Sequence, residues 1–183
     1  MEALDVRAVA FEWSHEGTDV AVQHFVAGGA FDFDGLWSLP PSADFFAGDG
    51  RVTAGHFALL QQLRDEGRLE QVVVIDRIDP PPPPPVWQQR DRDMSERLLR
   101  EWDRDRRLLA LTGGFHARLS TDAGETMAMQ VAREIPRLRS AMIEYASGYC
   151  WFHGLQEARE SGAGAPITFR LDRATPAVVP ARA

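Results

Sequence analysis

Val72-Val73-Val74-Ile75-Asp76 is the stretch from which the rest of the chain is read. Four β-branched aliphatics in a row favour an extended backbone, and their lack of polar alternation means that both faces of the strand are covered. That pattern predicts a central strand of a parallel sheet, and a carboxylate closes it. Toward the N-terminus, Ala54 to Glu66 carries Phe57, Leu60 and Leu63 at helical spacing with Gly67 as the stop signal. Val6 to Trp13 reads as a further strand, whose apolar Val9-Ala10-Phe11 is followed by Glu12. A carboxylate there suits the rim of the sheet rather than its core.

Between these elements, Thr18 or Asp19 can cap a short helix through Val20, Val22, Phe25 and Val26, which Gly28-Gly29 ends. Ala30 to Gly50 is a long irregular stretch holding Phe31, Phe33, Leu36, Trp37, Phe45 and Phe46. Loops of that length usually act as lids or binding loops. Its aromatics either line a pocket, with Trp37 as a substrate contact, or tuck the loop onto the core, and tucking is favoured. Toward the C-terminus, Pro80 to Pro85 predicts a polyproline spacer. Gln88 to Asp105 then forms a helix with Met94, Leu98 and Trp102 on one stripe. Leu108 to Leu111 is a strand that runs straight into Thr112-Gly113-Gly114-Phe115-His116. Asp122 and Glu125 resemble a capping box for a helix Glu125 to Arg133. Leu138 to Ala146 and Pro166 to Leu171 complete the strands. The alternation predicts one α/β domain over residues 1–173, a mainly parallel sheet flanked by helices, with a flexible tail at 174–183.

Composition narrows the function classes. The 183 residues suit one core, and 44% hydrophobic with 26% charged residues is globular usage rather than disorder. With a net charge of −7 and no basic stripe, nucleic acid and anionic membrane are excluded as expected partners. A small molecule, a peptide or another protein fits better. Cys150 is the single cysteine, so no intrachain disulfide or cysteine-rich metal site can form, and its thiol reads as a small buried hydrophobe. Met1-Glu2-Ala3-Leu4-Asp5 lacks the marks of a signal peptide and no apolar run would cross a bilayer, so the expected location is the cytoplasm.

A parallel sheet gathers the carboxyl ends of its strands along one edge, where ligands usually bind. Glu12, Asp76 and His116 each follow or close a strand, and Arg90 and Asp91 open the helix after the second one. These five ionisable groups are therefore expected in one crevice. Gly113-Gly114 either allows a turn with positive φ or lets backbone approach a ligand, with amides that can hold an oxyanion. Bland readings stand beside these: a tight turn with a surface histidine, and an ordinary helix-start charge pair. His15 is the best outside candidate, while His24, His56 and His153 read as surface or packed residues. The sequence has no P-loop, His-Glu-x-x-His, Gly-x-Ser-x-Gly or dinucleotide fingerprint.

Taken in order, Val9-Ala10-Phe11-Glu12, Arg90-Asp91-Arg92-Asp93-Met94 and the strand ending in Gly113-Gly114-Phe115-His116 resemble the ChaN/TraB/erythromycin-esterase superfamily. The resemblance spans roughly residues 4 to 150 and implies Glu12, Arg90, Asp91 and His116 as site residues. That group includes macrolide-lactone esterases, membrane-associated metalloproteases and a haem-binding lipoprotein. It also has an opening strand ending in Gly-Glu-x-x-His, a motif this sequence lacks. The expectation is an upstream start or a shortened homologue with altered catalysis.

Three function classes follow. In a hydrolase or biosynthetic enzyme acting on an ester or amide, His116 is the general base, Glu12 or Asp91 orients it and Arg90 stabilises negative charge. Gly113, Gly114, Asp76 and Trp37 would contact substrate, and a divalent-metal variant would use His116, Glu12 and Asp76 as ligands. The second class is a binding module for haem or an apolar molecule, using the aromatic loop and Tyr145 or Tyr149. The third is a scaffold subunit or homodimer paired through a sheet edge.

Overall fold

The computed structural model describes residues 5–14, 18–32, 52, 54–77, 87–122, 124–145, 149–151, 155–157 and 168–171. His15, Trp37, the proline run, His153 and the tail lie outside the described residues. Seven strands and four helices are described. They are β1 Ala8–Ser14, α1 Thr18–Val26, α2 Ala54–Asp65, β2 Gln71–Asp76, α3 Trp87–Glu101, β3 Leu108–Leu111, α4 Met127–Glu134, β4 Met142–Tyr145, β5 Tyr149–Trp151, β6 Leu155–Glu157 and β7 Thr168–Leu171.

The first three strands form an all-parallel sheet in the order β2-β1-β3. This bears out the α/β reading and moves the central position. β1, not β2, lies in the middle, and all seven of its residues are buried. An apolar run reports covered faces, and both strands have those; it carries no information about lateral neighbours. β2 is closed off sideways by side chains: Gln23 Nε2 donates to Val72 O at 3.3 Å and Arg97 Nε to Val74 O at 2.8 Å. Unpaired strand carbonyls invite another chain, so these two bonds guard that margin.

Alternation along the strands divides the core in two. Val9, Phe11 and Trp13 of β1 and Val72 and Val74 of β2 pack with Val22 and Phe25 of α1 and Phe57, Leu60 and Leu63 of α2. On the other face, Ala10, Val73 and Ile75 meet Met94 and Leu98 of α3 and Met127 and Val131 of α4. Register runs evenly from Ala8↔Gln71 to Phe11↔Val74 and then shifts, so that Ser14 pairs with Asp76. β1 thus has an extra residue next to Glu12, the local irregularity by which strands re-aim side chains at a rim.

Helix ends follow local chemistry. Gly28 at φ 99° and Gly67 at φ 66° take left-handed backbone at the ends of α1 and α2, as their positions in sequence predict. α3 stops at Glu101, short of the expected Asp105, because Gln71 Nε2 takes the Glu101 carbonyl at 2.7 Å and its Oε1 accepts from Asp103 N at 3.0 Å. α4 is capped by Thr126, whose Oγ1 accepts from Met129 N at 3.2 Å; the Asp122–Glu125 box does not form its start. Phe31 stacks on Phe25 at 4.2 Å and meets Phe57 edge-on at 4.9 Å, so the described start of the long loop tucks onto the core. The later strands are shorter than expected: β4 pairs in parallel with β7, and β5 and β6 form an antiparallel pair that the sequence did not announce.

Candidate functional site

Five side chains from four stretches of chain meet at the carboxyl edge of the three-stranded sheet. Arg90, one turn into α3, is the hub. Its Nε donates to Asp76 Oδ1 at 3.0 Å and its Nη2 to Asp76 Oδ2, a two-pronged grip on one carboxylate. The same Nη2 reaches Glu12 Oε1 at 2.6 Å, and Nη1 lies 3.2 Å from His116 Nε2. Burial opposes the guanidinium charge, but hydrogen bonds and attraction to Asp76, and then to Glu12, outweigh it and hold the Arg90 pKa above its ordinary value. Glu12, Asp76, Asp91 and His116 are all buried. Removing the cation would leave two carboxylates in a dry setting, a change that costs about 3–5 kcal/mol.

His116 is held as tightly. Its Nδ1 lies 2.9 Å from Asp91 Oδ1 and its Nε2 is 3.6 Å from Glu12 Oε1. A guanidinium has only donors, so the Arg90 contact requires a lone pair on Nε2. The proton then sits on Nδ1 and is donated to Asp91. Asp91 Oδ1 also accepts from Met127 N, at the start of α4, at 2.6 Å. Asp91 is fully buried, and its Oδ2 is one of the few buried polar atoms among the described residues without a hydrogen-bond partner; Ser14 Oγ, at the end of β1, is another. An unmet acceptor of this kind costs about 1–3 kcal/mol, and native folds keep few of them.

The structure thus brings together Glu12, Asp76, Arg90, Asp91 and His116, all five groups that topology assigned to one crevice. It separates the two glycines. Gly113 does not take positive φ; its amide donates to Glu12 Oε2 at 2.6 Å, and a Cβ there would lie 3.2 Å from that same oxygen. Its role is close approach to a carboxylate within the protein, so its N–H is not available for an oxyanion. The amide of exposed Gly114 has no partner among the described residues. Of the two orienting groups considered for His116, Asp91 holds Nδ1, while Glu12 is joined to Arg90 and Gly113.

The metal variant fits poorly. Arg90 is bonded to both carboxylates and to His116, so a fixed cation already stands among the three expected ligands. No group of three or more His, Cys, Asp or Glu among the described residues is arranged to hold a metal ion. Of the remaining histidines, His24 is exposed on α1. His56 packs edge-on against Phe11 at 5.2 Å and Trp13 at 5.9 Å. No helix among the described residues is long and apolar enough to cross a membrane.

Sequence reasoning passed over Ser14, Thr126 and Ser140. Ser14 follows Glu12-Trp13 at the end of a strand, a position that could have marked it. Thr126 and Ser140 bear on the site only through backbone carbonyls, which leave no pattern in sequence.

Fold and site together define an α/β parallel-sheet protein with a buried His–Asp pair beside an arginine-clamped pair of carboxylates. Comparison of the chain with family models, curated proteins and solved structures finds no match.

Proposed function

We propose that this protein is a hydrolase-like acid/base enzyme of the ChaN/TraB/erythromycin-esterase kind, acting on an ester or amide of a small molecule or peptide. One observation carries the reading: the buried His116–Asp91 pair, bonded at 2.9 Å, leaves the Nε2 lone pair directed at the polar rim. A base needs that tautomer, with a carboxylate behind it to steady the imidazolium that forms. In the resting arrangement Arg90 Nη1 occupies the lone pair at 3.2 Å. Catalysis begins when a water displaces that contact and gives its proton to Nε2 as its oxygen attacks the acyl carbon. The imidazolium then returns the proton to the departing alcohol or amine as the acyl bond breaks.

Nη1 is the one Arg90 nitrogen not bonded to a carboxylate, which makes it the donor available to a developing oxyanion, together with the Gly114 amide. The orphaned acceptors Asp91 Oδ2 and Ser14 Oγ support a working site, because a purely structural charge cluster gains nothing by leaving polar atoms unmet. A panel of aryl esters of neutral acids provides the test. His116→Ala is expected to keep its circular dichroism spectrum and to lose turnover by about 10²–10⁴-fold, the usual contribution of a positioned base. Undiminished turnover would remove His116 from the chemistry.

A further inference from the structure

His116 is fixed by its backbone as well as by its ring. Three consecutive carbonyls are each taken by a different donor: His116 O by Ala128 N at 3.0 Å, Ala117 O by Ser140 Oγ at 2.5 Å and Arg118 O by Thr126 Oγ1 at 2.5 Å. His116 N also donates to Gly113 O at 3.0 Å, closing the turn that leaves β3. The first turn of α4 meanwhile holds both partners of the pair, with Met127 N on Asp91 Oδ1 and Ala128 N on the His116 carbonyl. Thr126 is fully buried and Ser140 is buried, and their hydroxyls donate to the Arg118 and Ala117 carbonyls rather than to the imidazole.

We propose that Thr126 and Ser140 are positioning residues, whose hydroxyls pin the run from His116 to Arg118 and so set the Nδ1–H···Asp91 geometry of the ring. The physical ground is that a base displaced by a fraction of an ångström loses much of its effectiveness, and backbone bonds over-determine the ring position where one side-chain bond would not. The proposal extends the acid/base reading and rests on it only for the consequence in turnover; the geometry it concerns is measurable without a substrate.

The test is nitrogen NMR of the full chain labelled at histidine, near neutral pH. The unaltered protein is expected to show His116 as one tautomer, with well-separated protonated Nδ1 and unprotonated Nε2 resonances. In Ser140→Ala, which leaves the α4 cap in place, the two resonances move toward each other as the ring samples both tautomers. Thr126→Val moves them further because it removes a pin and the cap, and Thr126→Ser restores them. Wild-type resonances in a folded Ser140→Ala protein overturn the role of Ser140, and a Thr126→Ser protein that behaves like the valine variant overturns that of Thr126. Should Thr126→Val not fold, Ser140→Ala decides. Loss of the tautomer in these variants, in a protein that cleaves no ester, retires the hydrolase reading and leaves the pinning intact.

Discussion

The two faces of β1 are one residue apart in sequence and opposite in purpose. Val9, Phe11 and Trp13 look toward α1 and α2, where Phe11 stacks on Trp13 at 4.3 Å and Trp13 lies 5.3 Å from Phe57. Ala10 and Glu12 look toward α3 and α4, where small and flexible side chains give way at the rim to a charged cluster. On the first face, large rings fill volume and each aromatic pair adds about 0.5–1.5 kcal/mol beyond its burial. On the second, Glu12 and Asp76 are buried against Arg90, an arrangement that is stable only while the guanidinium stays between them. One strand can serve both ends because its side chains alternate, so packing and chemistry need not compete for positions.

Substitutions on the two faces should therefore fail in different ways. Trp13→Ala is expected to lose about 3–5 kcal/mol from lost burial and the cavity left behind. Urea denaturation should show it, while the His116 tautomer stays that of the unaltered protein. Disturbance of the tautomer would mean that the faces are coupled through the strand. Arg90→Met is expected to cost about 3–5 kcal/mol for a different reason, two uncompensated buried carboxylates. Adding Glu12→Gln and Asp76→Asn to it should recover most of that loss, whereas no such polar rescue exists for Trp13. If the triple variant is no more stable than Arg90→Met alone, charge is not what that region depends on.

The smallest effect concerns pH on the aromatic face. Burial pushes the His56 pKa down from its ordinary value. The unfolded chain therefore takes up a proton near pH 6.5 that the folded ring resists. The stabilisation linked to His56 is complete above that pH and is lost as acid carries the protein down through the lower folded value. Replacing His56 with Gln should flatten this part of the stability profile below about pH 6.5 and leave its neutral limb unchanged. Parallel urea midpoints for the two proteins across that range would show that the ring is not held dry.

Much of the site was legible because topology is a strong constraint. Glu12 and Asp76 announce themselves as carboxylates closing apolar strands, and His116 as the group just past a third strand. The same logic placed Arg90 and Asp91 on the same edge. What could not be read depends on contacts across the chain. The middle position of β1 is a matter of lateral pairing, to which an apolar run is blind. The division of labour between Asp91 and Glu12 turns on a backbone amide, Gly113 N, that captures Glu12. Asp122 and Glu125 offer a good local start for α4, yet Thr126 takes the role because its hydroxyl also reaches the Arg118 carbonyl. The capping pattern of Asp122 and Glu125 lost to a bond that reaches back eight residues into the turn after His116.

The Glu12–Gly113 hydrogen bond joins positions 101 apart in the chain. Closing so wide a span is entropically slow, and such contacts form only after nearer ones have made them worthwhile. During synthesis, then, Glu12 can meet Arg90 first, and its second oxygen waits for the Gly113 amide until the ribosome has released the third strand. A chain halted before that point can build its aromatic half and the Arg90 clamp on Glu12 and Asp76, but lacks the histidine that the clamp faces.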